Sequence, residues 1–203
     1  MALVHGDADL SPTKPELVAA WLPTQPWAAG LGELRQFGSY RFDDPDGEVG
    51  IEALLFRAGD LVLHLPLTYR GAPLEGAEEF LLGTMDHSAL GQRWIYDACG
   101  DAVAVRAYLT AILTGGEQAA IEVERAGAVV ERRTPTVRAD GSGSEASGPT
   151  PAAVTVSERA ATAVVEAGDH RLTLARLLPA EVSGRETLSV AWDGGGAVTA
   201  AVS

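Results

Sequence analysis

Cysteine and lysine are nearly missing: Cys99 is the one thiol in 203 residues, and Lys14 is the one lysine among 15 basic residues. A single cysteine excludes an intramolecular disulfide and fits a reducing compartment, so the chain is expected in the cytoplasm. Cations are outnumbered as well as few. The 28 acidic residues leave a formal net charge of −13, with a pI near 4.6. Nucleic acid and anionic membrane both require basic clusters, so neither is expected as a partner. The opening MALVHGDADLSP has neither the basic start nor the apolar core of a secretory signal. No apolar run approaches the ~20 residues that span a bilayer. Only His5, His64, His87 and His170 offer imidazole, and none is spaced with another His or with Cys99 as metal ligands are. No metal site and no cofactor is expected.

What is present is an ordinary globular composition, 46 % hydrophobic and 21 % charged, which disfavours global disorder. A chain of this length builds a core without disulfides or metals. Thr13, three residues before Glu16, with Pro15 in the first turn, opens a helix. Leu17, Ala20 and Trp21 share one of its faces, and Pro23 and Pro26 end it. A strand is expected over 37–42, then a turn at DDPDGE (43–48), then a hairpin of 49–56 and 60–69 around Arg57, Ala58 and Gly59. Period two places Leu61, Leu63, Leu65 and Leu67 on one face. Pro66 lacks a ladder donor, so its strand is expected at an edge or to end in a bulge. A helix over 101–114 has Asp101 as its cap, a stripe of Val105, Leu109, Ile112 and Leu113, and Gly115 and Gly116 as its stop.

From 119 onward strands dominate. AIEVER and AVVERR read as a hairpin around Ala126 and Gly127. Residues 134–151, rich in Gly and Ser, read as a mobile loop. Strands at 154–156, 162–166, 171–177, 187–192 and 197–202 read as an antiparallel meander. Helix and strand mixed in the first half, with a nearly all-β second half, predict an α+β class. The expected domains are 1–118 and 119–203.

Three clusters carry a family resemblance: Trp21-Leu22-Pro23 with Gln25 and Trp27; His64-Leu65-Pro66-Leu67-Thr68-Tyr69-Arg70; and Arg93-Trp94-Ile95-Tyr96-Asp97-Ala98 ahead of a helix. In order and spacing over 11–116 they resemble the N-terminal cap domain of actinobacterial maltokinases, enzymes that phosphorylate maltose on the route to α-glucan. SERAATAVVEAGDHRLTLARLLP (157–179) is similar to the kinase intermediate subdomain. The resemblance implies a cystatin-like cap, an antiparallel sheet with flanking helices, followed by a mostly antiparallel β subdomain resembling a degenerate kinase N-lobe. It departs from the family where Pro26-Trp27-Ala28-Ala29-Gly30 replaces an Arg-Trp-Phe cluster followed by Gly and Lys. Thr173 stands at the nucleotide lysine position, and no C-lobe with a catalytic aspartate and metal ligands is seen. Phosphoryl transfer depends on such positioned cations, so no catalytic residue is carried over and the reading is of a non-enzyme.

Local constellations add little chemistry. Asp86, His87 and Ser88 are sequence neighbours whose side chains diverge, and they read as a polar turn. Asp44, Asp46 and Gly47 resemble half of a calcium loop without its later bidentate carboxylate. Cys99, between Asp97 and Asp101, is a poor nucleophile and reads as structural. The candidate surface is Tyr69, Arg70, Arg93, Trp94, Tyr96 and Asp97, which combines aromatic faces with polar groups for a sugar or a partner protein. One face of Trp94-Ile95-Tyr96 must be core. The leading expectation is association or regulation, with a partner among trehalose, maltose or α-glucan enzymes. A sugar or sugar-phosphate module and a kinase-related enzyme completed by a separate C-lobe are the alternatives.

Overall fold

Leu54 and Leu55 are both fully buried. Successive strand residues face opposite ways, so their sheet must be covered on both sides. The computed structural model describes residues 2–125 and 128–203. The first half runs β1 (Ala2–His5), β2 (Leu10–Ser11), α1 (Lys14–Trp21), β3 (Arg35–Phe42), β4 (Gly50–Ala58), β5 (Leu61–Arg70), β6 (Leu81–His87), β7 (Gly91–Asp97) and α2 (Ala102–Thr114). Then come β8 (Ile121–Arg125), β9 (Ala128–Arg133), β10 (Val137–Gly141), β11 (Thr155–Arg159) and β12 (Thr162–Ala167). The last strands are β13 (His170–Ala175), β14 (Leu177–Leu178), β15 (Glu186–Trp192) and β16 (Gly195–Val202).

The first sheet has the order β2-β6-β7-β5-β4-β3, with β14 added beside β5; the second has the order β10-β15-β16-β13-β12-β11. Neighbours in both are antiparallel. A small third sheet sets β1 parallel to β8, and β8 antiparallel to β9. Strand at 48 % against 17 % helix makes this a sheet-rich α+β fold, as the sequence implies. The expected turn at Ala126 and Gly127 lies outside the described residues.

Both helices start where their caps predict. Glu16 Oε2 accepts from the Thr13 amide and hydroxyl, each at 2.8 Å. Asp101 Oδ1 accepts from the Val103 amide at 3.0 Å, and α2 stops at Gly115 with φ 68°. One face of the first sheet packs Leu54, Phe56, Leu63 and Leu65 against Leu17, Val18 and Trp21 of α1. The other face carries Tyr40, Ile51 and Leu55 into a single core with Leu109 and Ile112 of α2 and Val165, Leu172 and Leu188 of the second sheet. The segments on either side of residue 118 therefore share one core.

The strand expected over 171–177 breaks at Arg176 into β13 and β14, which join different sheets, and three further local expectations change. Pro66 sits in a central strand, buried, opposite Ala53. The His64 amide donates to Arg176 O at 2.9 Å, on the side away from β4. Residue 66, two positions on, points its imide nitrogen the same way. There β14 pairs only with residues 62 and 63, and β7 only from residue 67, so the missing donor falls in the gap between two neighbours. The second change is in the β-rich half, where β16, not β15, lies beside β13. The β15–β16 hairpin sends its second strand back to β13, so this is not a simple meander.

The third change is the expected mobile loop. Residues 137–141 form β10 against β15, and the following residues close the end of α2. The amides of Gly143 and Glu145 donate to the carbonyls of Ile112 and Leu113, each at 2.8 Å, satisfying acceptors that a helix end leaves open. A Cβ on Gly141 would stand 1.9 Å from Ala111 O, and one on Gly143 2.1 Å from Leu113 O. Glycine is there because backbone meets backbone. Gly143→Ala is expected to destabilise the protein by about 2 kcal/mol through overpacking, with the exposed Ser144→Ala within about 0.5 kcal/mol of wild type. Urea unfolding measures both. Equal stabilities would mean that this segment does not close α2.

Candidate functional site

α1 begins only at Lys14, after its Thr13 cap, so it covers only part of its sheet face. Past Lys14 the face opens into a cavity of about 420 Å³. Its walls include Lys14, Arg41, Phe42, Tyr69, Met85 and Arg93, beside the acidic 43–48 turn. The floor is set by register: Arg41 lies opposite Glu52, Gly50 opposite Tyr69, and Met85 opposite Arg93.

Glu52, 5 % exposed, organises the cationic wall. It accepts from Lys14 Nζ and from Arg41 Nη2, the latter at 3.1 Å. Burial pushes the Glu52 carboxyl upward, but Arg41 and Lys14 outweigh it and hold the group at about 2. Burial lowers the Lys14 ammonium, and Arg41 adds to this against the pull of Glu52. Lys14 Nζ also lies 5.1 Å from the centre of the Tyr69 ring, within cation–π range. The Tyr69 hydroxyl lies beside Glu52 without good hydrogen-bond geometry, and burial with that nearby charge pushes it well up. Arg93 Nη2 donates to Leu90 O at 2.6 Å, while its buried Nε has no acceptor among the described residues. Opposite, Asp44 accepts amides from Asp46, Glu48 and Val49 at 3.0–3.1 Å, which occupies the oxygens a calcium loop would need. The cavity thus places fixed donors and acceptors around apolar and aromatic surface.

Strand alternation divides the six residues singled out from sequence. Tyr69, Arg93 and Asp97 fall on the α1 face, and Arg70, Trp94 and Tyr96 on the other, because Tyr69 registers with Ile95 and Arg70 with Trp94. Only Tyr69 and Arg93 line the cavity. Arg70 makes a two-pronged contact with Asp101, at 2.7 Å for each prong, which anchors the cap of α2. Tyr96 is buried and its hydroxyl accepts from the Leu74 amide at 2.8 Å. Trp94 is half-buried. Asp97 is buried against Arg176, with contacts of 3.0 and 2.5 Å. The six therefore do not form one surface. Sequence reading missed Lys14, Arg41 and Glu52; the available signals were a lone lysine and a carboxylate inside the apolar strand 49–56.

His64 is structural. Its Nδ1 lies 2.8 Å from Ala175 O, which can only accept, so Nδ1 carries the proton and Nε2 accepts from the Tyr40 hydroxyl at 2.8 Å. Tyr108 of α2 lies 3.0 Å from the same hydroxyl. This chain of bonds joins both sheets to α2. Cys99 is buried beside it, and burial raises its thiol well above the ordinary value.

Residues 21–101 match the family described as the maltokinase N-terminal cap domain, so this segment is a maltokinase N-terminal cap-like domain. No curated protein and no solved structure matches the chain. The matched segment supplies Arg41, Glu52, Tyr69 and Arg93, while Lys14 comes from outside it. Among the described residues no helix is long and apolar enough to cross a membrane.

Burial holds His64 at about 4 against an ordinary 6.5, so the unfolded chain takes up a proton below pH 6.5 that the folded chain refuses until about pH 4. Stability conferred by neutral His64 is complete above pH 6.5 and falls by up to about 1.4 kcal/mol per pH unit as pH drops through that window. Urea titrations from pH 7 to 4 should show this slope, and His64→Gln should flatten it. Parallel curves would refute a neutral buried imidazole.

Proposed function

We propose that this chain is a non-catalytic, carbohydrate-binding cap-like module serving maltose and trehalose metabolism in the cytoplasm. The cavity beside Lys14 and Tyr69 is its ligand site. The observation that carries this reading is the mixture within one cavity: Tyr69, Phe42 and Met85 line it with apolar surface, Lys14, Arg41 and Arg93 with cationic groups, and Asp43, Asp44 and Glu48 with carboxylates. A sugar has the complementary surface, C–H faces edged by hydroxyls that both donate and accept. The volume lies within the roughly 300–1,000 Å³ of small-molecule sites. The Glu52 charge and the acidic turn offset the cations, which favours a neutral sugar over its phosphate.

The non-catalytic part rests on β13. Thr173, where the resemblance places a nucleotide lysine, is registered between Val164 and Ala201. It offers no charge for a phosphate. Lys14 is committed to Glu52 in the other sheet. In this reading the second sheet is a degenerate kinase N-lobe and the first a cystatin-like cap. A second reading, association with an enzyme of maltose, trehalose or α-glucan metabolism, is favoured by an exposed apolar stretch at Pro23, Pro26 and Ala29.

In a thermal-shift series, maltose or trehalose is expected to raise the melting temperature in a concentration-dependent way by mass action. Arg93→Ala should weaken binding about tenfold by removing a charged hydrogen bond. Calorimetry with ATP and magnesium should give no binding heat. A flat response to both sugars, or micromolar ATP binding, would contradict the proposal.

A further inference from the structure

A second concavity lies on the opposite side of α1. Its volume is about 830 Å³, and its lining includes Ala19, Leu22, Pro26, Ala29, Leu31 and Phe56. Pro15, Ala19, Pro23, Pro26 and Ala29 are exposed, and Leu31 and Leu34 are half-buried. The surface is apolar for a local reason. Pro23 ends α1, and the chain continues through two single turns of 3₁₀ helix, Leu22–Thr24 and Pro26–Ala28, that present proline rings outward. Beneath them Trp21 and Trp27 meet edge to face at 6.0 Å, and Arg176 stacks on the Trp27 ring at 5.1 Å. The groove is therefore held from below before any partner arrives, which lowers the ordering cost of docking.

Its charge selects the occupant. Among the described residues Glu16 and Glu33 are the only charged ones lining it, both exposed, in a chain of net charge −13. Glu16 spends one carboxylate oxygen on Thr13 and keeps the other. A second copy of the chain would bring the same acidic groove and the same large negative charge, so self-association is opposed. An apolar segment bearing Arg or Lys would bury against the prolines and leucines and place its cations at the two glutamates. We propose that this groove docks a basic, amphipathic peptide segment of a partner protein. The proposal rests on the association reading and gives it a surface and a partner chemistry. It does not depend on the sugar cavity.

The test uses the full chain and two synthetic amphipathic peptides, one of Leu, Ala and Arg, the other with Glu in place of Arg. Hydrogen exchange with the Arg peptide should slow amides within 15–34, and raised salt should weaken binding. Ala29→Arg and Glu33→Lys should each reduce affinity at least about fivefold by blocking the groove or reversing its rim. Asp193→Arg, an exposed reversal elsewhere with the same charge change as any single acid-to-Arg substitution, should reduce it less than twofold. Equal binding of the Glu peptide, protection confined to residues other than 15–34 and Phe56, or equal losses in the Asp193 control would overturn the proposal. So would a dimer in sedimentation that Ala29→Arg makes monomeric, since a second copy would then be the occupant. Capture of a maltose or trehalose enzyme that persists unchanged in Ala29→Arg would overturn the groove while sparing the association reading.

Discussion

The buried guanidinium of Arg176 is the constraint on which the rest of the structure depends. The chain leaves the second sheet at Ala175 and enters the first at Leu177, so Arg176 is the corner between them. Its side chain is fully buried, held by Asp97 from β7 and by Glu158 from β11 at 2.7 Å. Its amide donates to Ala161 O and its carbonyl accepts from His64 of β5. A buried charge costs several kcal/mol unless it is paired with good geometry. These partners come from both sheets, so neither sheet alone can supply them.

That corner changes the meaning of the segment similar to the kinase intermediate subdomain. The local pattern of 157–179 was legible only in part: β12 lies where turn residues and alternation place it, β11 runs over Thr155–Arg159 against an expected 154–156, and the strand expected over 171–177 breaks at Arg176 into β13 and β14. The helices were more legible, because Thr13, Glu16, Asp101 and Gly115 act on residues within one turn. What sequence could not reveal is partnership at distance. Asp97 and Arg176 are 79 positions apart, and Lys14 and Glu52 are 38 apart. The same reason explains the misread loop: glycine in 141–148 looks like freedom until the backbone of α2 is placed against it.

Pro66 and the six-residue surface show a further limit. Alternation is visible in sequence, yet which neighbour stands beside each residue is not, and Pro66 is tolerated only because two partial neighbours leave a gap at its nitrogen. Period two also split Arg70, Trp94 and Tyr96 from Tyr69 and Arg93. Of the first three, Arg70 anchors the cap of α2, Tyr96 is buried and Trp94 is half-buried, while the last two were left at a cavity that α1 does not cover. The cap-like segment thus owns most of the cavity but borrows Lys14 from before it. Its stability is borrowed from after it, through β14 and Arg176.

The claim that the sheets form one cooperative body is tested most directly by native-state hydrogen exchange on Arg176→Met. The account predicts that amides in β5 and β7 and those in β12 and β13 lose protection together, by about 3–5 kcal/mol for removal of one partner of a buried ion pair. Loss confined to one sheet, with the other at wild-type protection, would contradict it.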